Sequence, residues 1–444
     1  MHHQTTNLIQ QIIAKVDALL SLQVNIVLHS PAFQKLEASW RSLYALTLSI
    51  AELNHVKIKI KILNISWNDL SKDLTRAAEF DQSNLFRLVY NEEFGSPGGE
   101  PYGLLLGDYE ISHRLSKNNL YTDLNILSYI AKVAAAAFAP FITMPDPSLF
   151  GLDNFSGFER DLNIERTFQQ TEYLEWKFLR QQEEVRFVGM ILPKTLQRLP
   201  YNTNHFYLDP CHFNFTEVIK SSKDYLWGNP CYVFAANTAR AFAQSGWFAD
   251  IRGAVSDNSQ GGVVEDLPFF YFKSDAQHIE PVFTTDVCIT EQQEKNLSDF
   301  GFIALCYCKY TPLHAFYSCP SLYQIKRYDT NSANTNEKLS SMLNYVLCAA
   351  RFAHYLKIIA RNKIGSFTTA EDCARVLGDW LRQYTASGND LSRELQAKYP
   401  LRDARVEITE SIGNPGAYIS KIYLSPHYRF EQIETYLQLT TEIY

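Results

Sequence analysis

The residues best suited to chemistry in this chain are few and scattered. Glu265-Asp266 pairs two carboxylates behind Gly261-Gly262-Val263-Val264. Adjacent carboxylates can hold a metal or share a proton. Acids of this kind are mostly solvated, so the pair reads as a loop or a helix cap, and so does Glu92-Glu93. His354, within Arg351-Phe352-Ala353-His354-Tyr355-Leu356, could act as a base but reads as a hydrogen-bonded histidine in a packed helix. Cys306-Tyr307-Cys308 puts two thiols on one face of a strand, yet no second pair or His-x-His supplies the other ligands of a metal site. Phe94-Gly95-Ser96-Pro97-Gly98-Gly99-Glu100-Pro101 looks like a phosphate cradle, but a helix precedes it, a strand follows, and it has no Lys. It reads as a turn. The sequence contains neither Gly-x-Ser-x-Gly nor His-Glu-x-x-His. Lys357, Arg361 and Lys363 lie near a helix C-terminus, where cations favour the dipole. An enzyme using Glu265-Asp266 or His354 in an inter-domain cleft is the reading this search supports least.

The elements that would position these residues form a mixed α/β (α+β) pattern. Thr5 or Thr6 caps a helix from Asn7 to about Leu28, with Ile9, Ile12, Ile13, Val16, Leu19 and Leu20 at helical spacing. After Pro31 a second helix spans Ala32–Leu53, placing Phe33, Leu36, Trp40, Leu43 and Leu46 on one side. Val56–Leu63 alternates apolar residues with Lys and predicts a half-exposed strand. Helices over Leu70–Ala78 and Gln82–Tyr90 lead to the glycine-rich loop, and Tyr102–Ile111 follows as a strand. Further helices are predicted at Leu124–Phe138, Tyr173–Gln181, Tyr232–Gln244 and Ala370–Tyr384, the last capped by Thr368 or Thr369. Val185–Leu192 reads as a buried strand, and Leu297–Tyr310 as a helix end followed by a strand. Asn331–Asn336 is a polar break and a domain boundary, after which one long helix covers Lys338–Ile364. Three units are expected: residues 1–55 as a helical arm, 56–330 as middle and outer α/β domains, and 331–444 as a C-terminal domain.

At 444 residues, with 46% hydrophobic and 20% charged residues, the composition is that of a soluble globular chain with a large core. A net charge of −7 without a Lys/Arg run argues against a nucleic-acid or anionic-membrane surface. The apolar run Val133–Met144 is too short to span a bilayer, and Met1-His2-His3-Gln4 has no signal-peptide character. Eight dispersed cysteines read as buried thiols in a reducing cytoplasm.

The last forty residues are more informative. Arg405–Glu410 and Ala417–Leu424 alternate around a Gly/Asn/Pro turn, and Ile433–Tyr444 alternates to the final residue. Ile433, Leu437, Leu439 and Ile443 share one face, while Glu434, Gln438 and Glu442 share the other. A chain that stops inside a strand either tucks that strand into its own sheet or offers it to a neighbour.

Longer stretches resemble the large sheath subunit of the bacterial type VI secretion system, the TssC/VipB family. They include Phe33–Arg41, Glu93-Phe94-Gly95, Gly98–Gly103, Gly107–Glu110, Trp227–Pro230, Tyr232–Asn237, Gly261–Pro268, Leu297–Phe302, Arg351–Lys357 and Leu424–Tyr428. The resemblance covers nearly the whole chain. It implies a multi-domain cytoplasmic contractile sheath fold without catalysis, cofactor or metal. The large subunit would co-assemble with copies of itself and a small sheath subunit (TssB/VipA-like) around an Hcp-type inner tube on a baseplate. A ClpV-type ATPase would recycle it, and neither nucleic acid nor membrane would be bound. A related phage-tail-like or extracellular injection particle would share these mechanics. Under this resemblance Ile433, Tyr436, Leu437, Leu439 and Ile443 belong to an inter-subunit strand. Ile9, Ile12, Ile13, Val16 and Leu20 form a partner-contacting arm. The chain departs from the family in two ways. It starts close to Leu8–Leu28, whereas relatives carry an ATPase-recognition helix further upstream. It also has Asn362 where the family tends to have Asp, which costs one ion pair of small value if exposed.

Overall fold

The computed structural model describes the chain except residues 1, 54–55, 116–120, 161, 202–214, 255–260, 266, 270–283, 309–310, 312, 364–369, 387, 389–390, 411–417, 428–436 and 444. For residues 2–4, 362–363, 370, 410, 418–420 and 437–443 the backbone alone is described.

Two helices, α1 (His2–Leu28) and α2 (Pro31–Ala51), open the chain. Pro31 at the first position of α2 suits a helix start, where its missing N–H costs nothing. Next come α3 (Trp67–Arg76) and α4 (Asn84–Phe86), the latter continuing as a wide-turn helix over Arg87–Gly95. Strand β1 (Leu105–Ile111), helix α5 (Asp123–Ala136) and strand β2 (Phe141–Pro145) make a parallel crossover unit. Helices α6 (Ile164–Gln169) and α7 (Leu174–Gln181) lead to β3 (Val188–Leu192), β4 (Thr195–Leu196), β5 (Trp227–Gly228) and α8 (Cys231–Ser245). After β6 (Val263–Val264), α9 (Glu291–Asp299), β7 (Phe302–Tyr307) and β8 (His314–Phe316) comes the C-terminal module.

The central sheet runs in the order β1-β2-β3-β7-β8-β6, parallel from β1 to β7 and antiparallel beyond. Helices cover both faces, so β2 and β3 are buried at every residue rather than at alternate ones. The period of two still sorts their side chains. Phe141, Val188, Met190 and Phe302 join Leu127 and Ile130 of α5 and Trp176 of α7. Ile142, Ile191, Ile303 and Leu305 point the other way, to Leu46 of α2 and Phe234 of α8. The apolar run Val133–Met144 is therefore the end of α5 and strand β2, buried in the core.

The C-terminal module has α10 (Asn331–Ser340), α11 (Leu343–Lys363), α12 (Ala370–Arg382) and α13 (Arg393–Lys398). It closes with β9 (Leu401–Glu410), β10 (Tyr418–Pro426) and β11 (Leu437–Ile443), an antiparallel sheet in the order β11-β10-β9. Phe352 and Leu356 of α11 and Leu377 and Leu381 of α12 pack with Ile422 and Leu424 of β10. The indole of Trp247, just past α8, stacks on Phe352 at 4.0 Å between centroids and ties this module to the central one.

Three expectations need correction. Val56–Leu63 carries no helix, turn or bend but belongs to no sheet among the described residues. Asn331–Asn336 is not a break: it begins α10, because Glu337 at the far end is captured by Arg186 at 3.1 Å and by Tyr323 Oη at 2.7 Å. The long helix expected from Lys338 is two helices, since Ser321 N–H takes the Ser341 carbonyl at 2.7 Å and Leu343 N–H reaches Cys319 O at 2.8 Å. The proposed caps Thr368 and Thr369 lie outside the described residues.

Candidate assembly interface

The groups that suggested chemistry are held in structural roles. His354 lies buried on α11, its Nε2 3.0 Å from the Ala137 carbonyl, with its ring on Phe94. Burial, with Arg351 and Lys357 nearby, pushes its pKa down to about 4, so the ring is neutral at pH 7. Lys357 Nζ sits 3.6 Å from the Phe94 ring centroid, and Arg361 Nη1 donates to Ser96 O at 3.0 Å. Two of the three cations taken as a solvated helix-end cluster thus hold the glycine-rich loop against α11. In that loop Gly98 has φ +83°, and a Cβ on Gly99 would stand 2.3 Å from the Glu93 carbonyl oxygen, so the turn needs glycine. Glu265 is exposed, and Asp266 lies outside the described residues. Burial raises the pKa of Cys306, and all described cysteines are free thiols. No cluster of three or more His, Cys, Asp or Glu that could hold a metal occurs among the described residues.

One perturbed acid escaped sequence reasoning. Asp286 is half-buried as a residue, but its Oδ1 is shut off from solvent and has no partner among the described residues. Burial, helped by Glu110 and opposed by Lys194 and backbone N–H groups, pushes its carboxyl up to about 7. Lys194 is already engaged by Glu110 at 2.8 Å. The folded chain therefore holds this proton to higher pH than the unfolded chain does, where 3.8 is the ordinary value. Stability from this site is complete below 3.8 and is lost as pH rises toward 7. Asp286→Asn should accordingly raise the melting temperature by a few degrees at pH 8 and leave it unchanged at pH 3, as scanning calorimetry at both pH values would show.

The outer surface of the helical arm is where the molecule departs from an ordinary soluble chain. On α1, Ile9, Ile12, Ile13, Val16 and Leu20 are 57, 52, 53, 47 and 43% exposed. By length and composition Thr5–Leu28 is long and apolar enough to cross a membrane. A second stripe was grouped wrongly from sequence. Ala38, Ser42 and Leu46 are the buried face of α2, while Leu36, Trp40, Tyr44 and Leu48 point outward at i, i+4 spacing. Four large apolar residues at that interval, beside a row of small ones, were the available signal. Contiguous apolar surface of this size marks an interaction site.

A buried ion cluster anchors this arm. Arg198 bonds Glu37 of α2 at 2.8 Å and Glu217 at 2.5 Å, and its guanidinium stacks on Tyr201. Arg41 reaches Glu37 at 2.7 Å and Tyr201 Oη at 2.7 Å. His29, in the α1–α2 elbow, meets Glu217 at 3.0 Å. Asn25 Oδ1 accepts from Val218 N–H at 3.0 Å. Burial pushes the Glu217 carboxyl up, but Arg198, the Tyr201 N–H and His29 outweigh it and hold the pKa below 4.5. Its stabilisation is thus present above pH 4.5 and lost as pH falls through the lower folded value. Arg198→Met leaves two carboxylates without their shared cation and should cost about 3–5 kcal/mol. Urea unfolding at pH 7 measures this loss, which should shrink toward pH 3.

The C-terminal strand takes a definite place. The register sets Leu437 opposite Leu424, Leu439 opposite Ile422 and Ile443 opposite Tyr418. Ile433 and Tyr436 lie outside the described residues. Within one chain the terminal strand therefore completes its own sheet, as an edge. A shallow cavity of about 270 Å³ between α5 and α7 is lined by Leu124, Leu174, Phe178 and Leu179, with Glu175 held by Thr122. Asn125, Ser128 and Gln182 complete its lining.

Residues 10–323 match the VipB family, described as EvpB/VC_A0108, tail sheath N-terminal domain. Residues 332–443 match its second part, EvpB/VC_A0108, tail sheath gpW/gp25-like domain. The type VI secretion system sheath protein TssC1 of Pseudomonas aeruginosa is 37% identical over 441 residues, 98% of this chain and 86% of that protein. A chain in the 6-fold symmetrised cryo-EM structure of the anti-feeding prophage baseplate aligns over 85% of this chain and 81% of its own. Its TM-score is 0.38 and its identity 8%.

Proposed function

Because this chain belongs to the VipB family of tail sheath proteins, we propose that it is the structural large subunit of a type VI secretion contractile sheath. It assembles in the cytoplasm with a small sheath subunit and copies of itself around an Hcp-type tube, on a baseplate. Contraction drives tube and spike outward. The observation that carries this reading is the 37% identity over 98% of the chain to a type VI sheath protein. The exposed arm supports it physically, since fourteen large apolar side chains exposed on α1 and α2 need a permanent partner.

Two devices would link the mesh. Strand β11, at an edge and joined to β10 across residues 428–436, can occupy the same register in a neighbour's sheet as in its own. Ile433, Tyr436, Leu437, Leu439 and Ile443 are its proposed contacts. On α1, Ile9, Ile12, Ile13, Val16 and Leu20 are the proposed seat of the small subunit. Contraction then needs no nucleotide: a metastable lattice relaxes to one with more buried surface. A gain of about 1–3 kcal/mol per subunit, typical of conformational coupling, multiplies along the filament. Recycling falls to a separate ATPase of the ClpV type. The reading is tested by co-expression with the candidate small sheath subunit. The two chains should be recovered as one complex. Recovery as a monodisperse chain indifferent to the partner would refute it.

A further inference from the structure

Lys57–Asn64 runs without helix, turn or bend, and its backbone has no partner among the described residues. Among the described residues no hydrogen bond reaches any of its N–H or C=O groups, although the chain on both sides is bonded: Val56 N–H to Leu53 O at 3.4 Å and Tyr109 Oη to Ile65 O at 2.9 Å. It is not a loose loop. Lys59 pairs with Glu100 and Lys61 with Glu93, and Lys61 lies 5.4 Å above the Tyr102 ring. Glu93 also accepts from the Glu100 N–H at 2.9 Å, so the glycine-rich turn acts as a bracket that grips the lysine face. On the other face Ile60 and Ile62 are 38 and 70% exposed, and Ile58 is half-buried. Backbone amides and carbonyls along a run free of turns and bends, unpaired among the described residues, suit one ligand geometry, that of an extended chain.

We propose that Lys57–Asn64 is a strand acceptor completed by an extended segment of a different polypeptide. Its occupant is the small sheath subunit, an identity that rests on the sheath reading above. Charge excludes a second copy of the same segment. In an antiparallel self-pair centred on Ile60, Lys59 faces the partner's Lys61. Shifting the register by one residue sets lysines against isoleucines, and a parallel in-register pair stacks each lysine on its twin. Like charges directly opposite are destabilising, and a one-residue slip mixes the two faces. The occupant therefore carries apolar residues toward Ile58, Ile60 and Ile62, and acidic or neutral polar ones toward Lys57, Lys59 and Lys61. Because the bracket orders the acceptor beforehand, binding loses less chain entropy than a disordered segment would.

Hydrogen–deuterium exchange on the full chain, alone and co-assembled with the small sheath subunit, tests this. Amides of residues 57–64 should exchange near the unstructured rate in the chain alone and roughly 100-fold or more slowly in the co-assembly. Ile60→Pro, which removes a ladder donor outside the core, should abolish recovery of the co-assembly while the chain keeps its melting temperature. Rapid exchange of 57–64 inside an intact co-assembly would overturn the acceptor and leave the sheath reading standing. Protection already present in the chain alone would assign the partner strand to this chain or its copies and equally overturn it. Absence of any co-assembly would overturn the sheath reading and the occupant together.

Discussion

Removal of Ile433–Tyr444 is expected to leave a chain that folds around its central sheet yet builds no tubules. The truncation takes away β11, whose only described ladder is to β10, and leaves Ile422 and Leu424 still packed under α11 and α12. What disappears is the edge strand proposed above to be traded between sheets. Electron microscopy of the truncated chain with its small subunit should show soluble particles only; tubules of normal length would exclude the exchange. A cross-link separates the tucked strand from the shared one. Lys421 is exposed and faces Thr440 across the β10–β11 ladder. Opposed cysteines at such a pair lie within reach of a disulfide. Lys421→Cys with Thr440→Cys, oxidised in tubules, should give a ladder of covalent multiples on a non-reducing gel. A band of single chains alone would mean that every strand stays home.

The second large effect belongs to the arm. Changing Ile9, Ile13, Val16 and Leu20 together to Gln is expected to abolish co-purification with the small subunit while leaving the melting temperature of the chain unchanged. These side chains are 43 to 57% exposed, so the fold gains little from them. Burying each against a partner contributes on the order of 1.5–3 kcal/mol, so losing four removes more than most associations can spare. The same variant addresses the membrane alternative raised by Thr5–Leu28. If the wild-type chain sediments with lipid vesicles and the variant does not, while partner binding persists, the arm is a membrane element and its assignment here is wrong.

The sequence carried much of this architecture where local patterns and tertiary packing agree. The ends of α5 and α8, the buried run of β3, and the meander of β9 and β10 follow from periodicity, because burial repeats every three to four residues in the helices and every residue or every second one in the strands. Val56–Leu63 has the pattern of a strand but no ladder among the described residues; periodicity reports a face to be buried, not who buries it. The α10 segment looked like a polar break because its helix is held by Arg186 and Tyr323, more than a hundred and about a dozen residues away. The anchor Arg198–Glu37–Glu217 is likewise made by residues that no local motif connects. On α2 the outward row of Leu36, Trp40, Tyr44 and Leu48 was legible as apolar spacing. Its exposure was not, since a helix with two apolar sides does not say which one meets its own core.

Electron microscopy of the chain co-expressed with the candidate small sheath subunit tests the sheath assignment most directly. Helical tubules containing both polypeptides, absent when either is expressed alone, are predicted. A soluble large chain that forms no tubule with that partner and does not bind it would contradict the account.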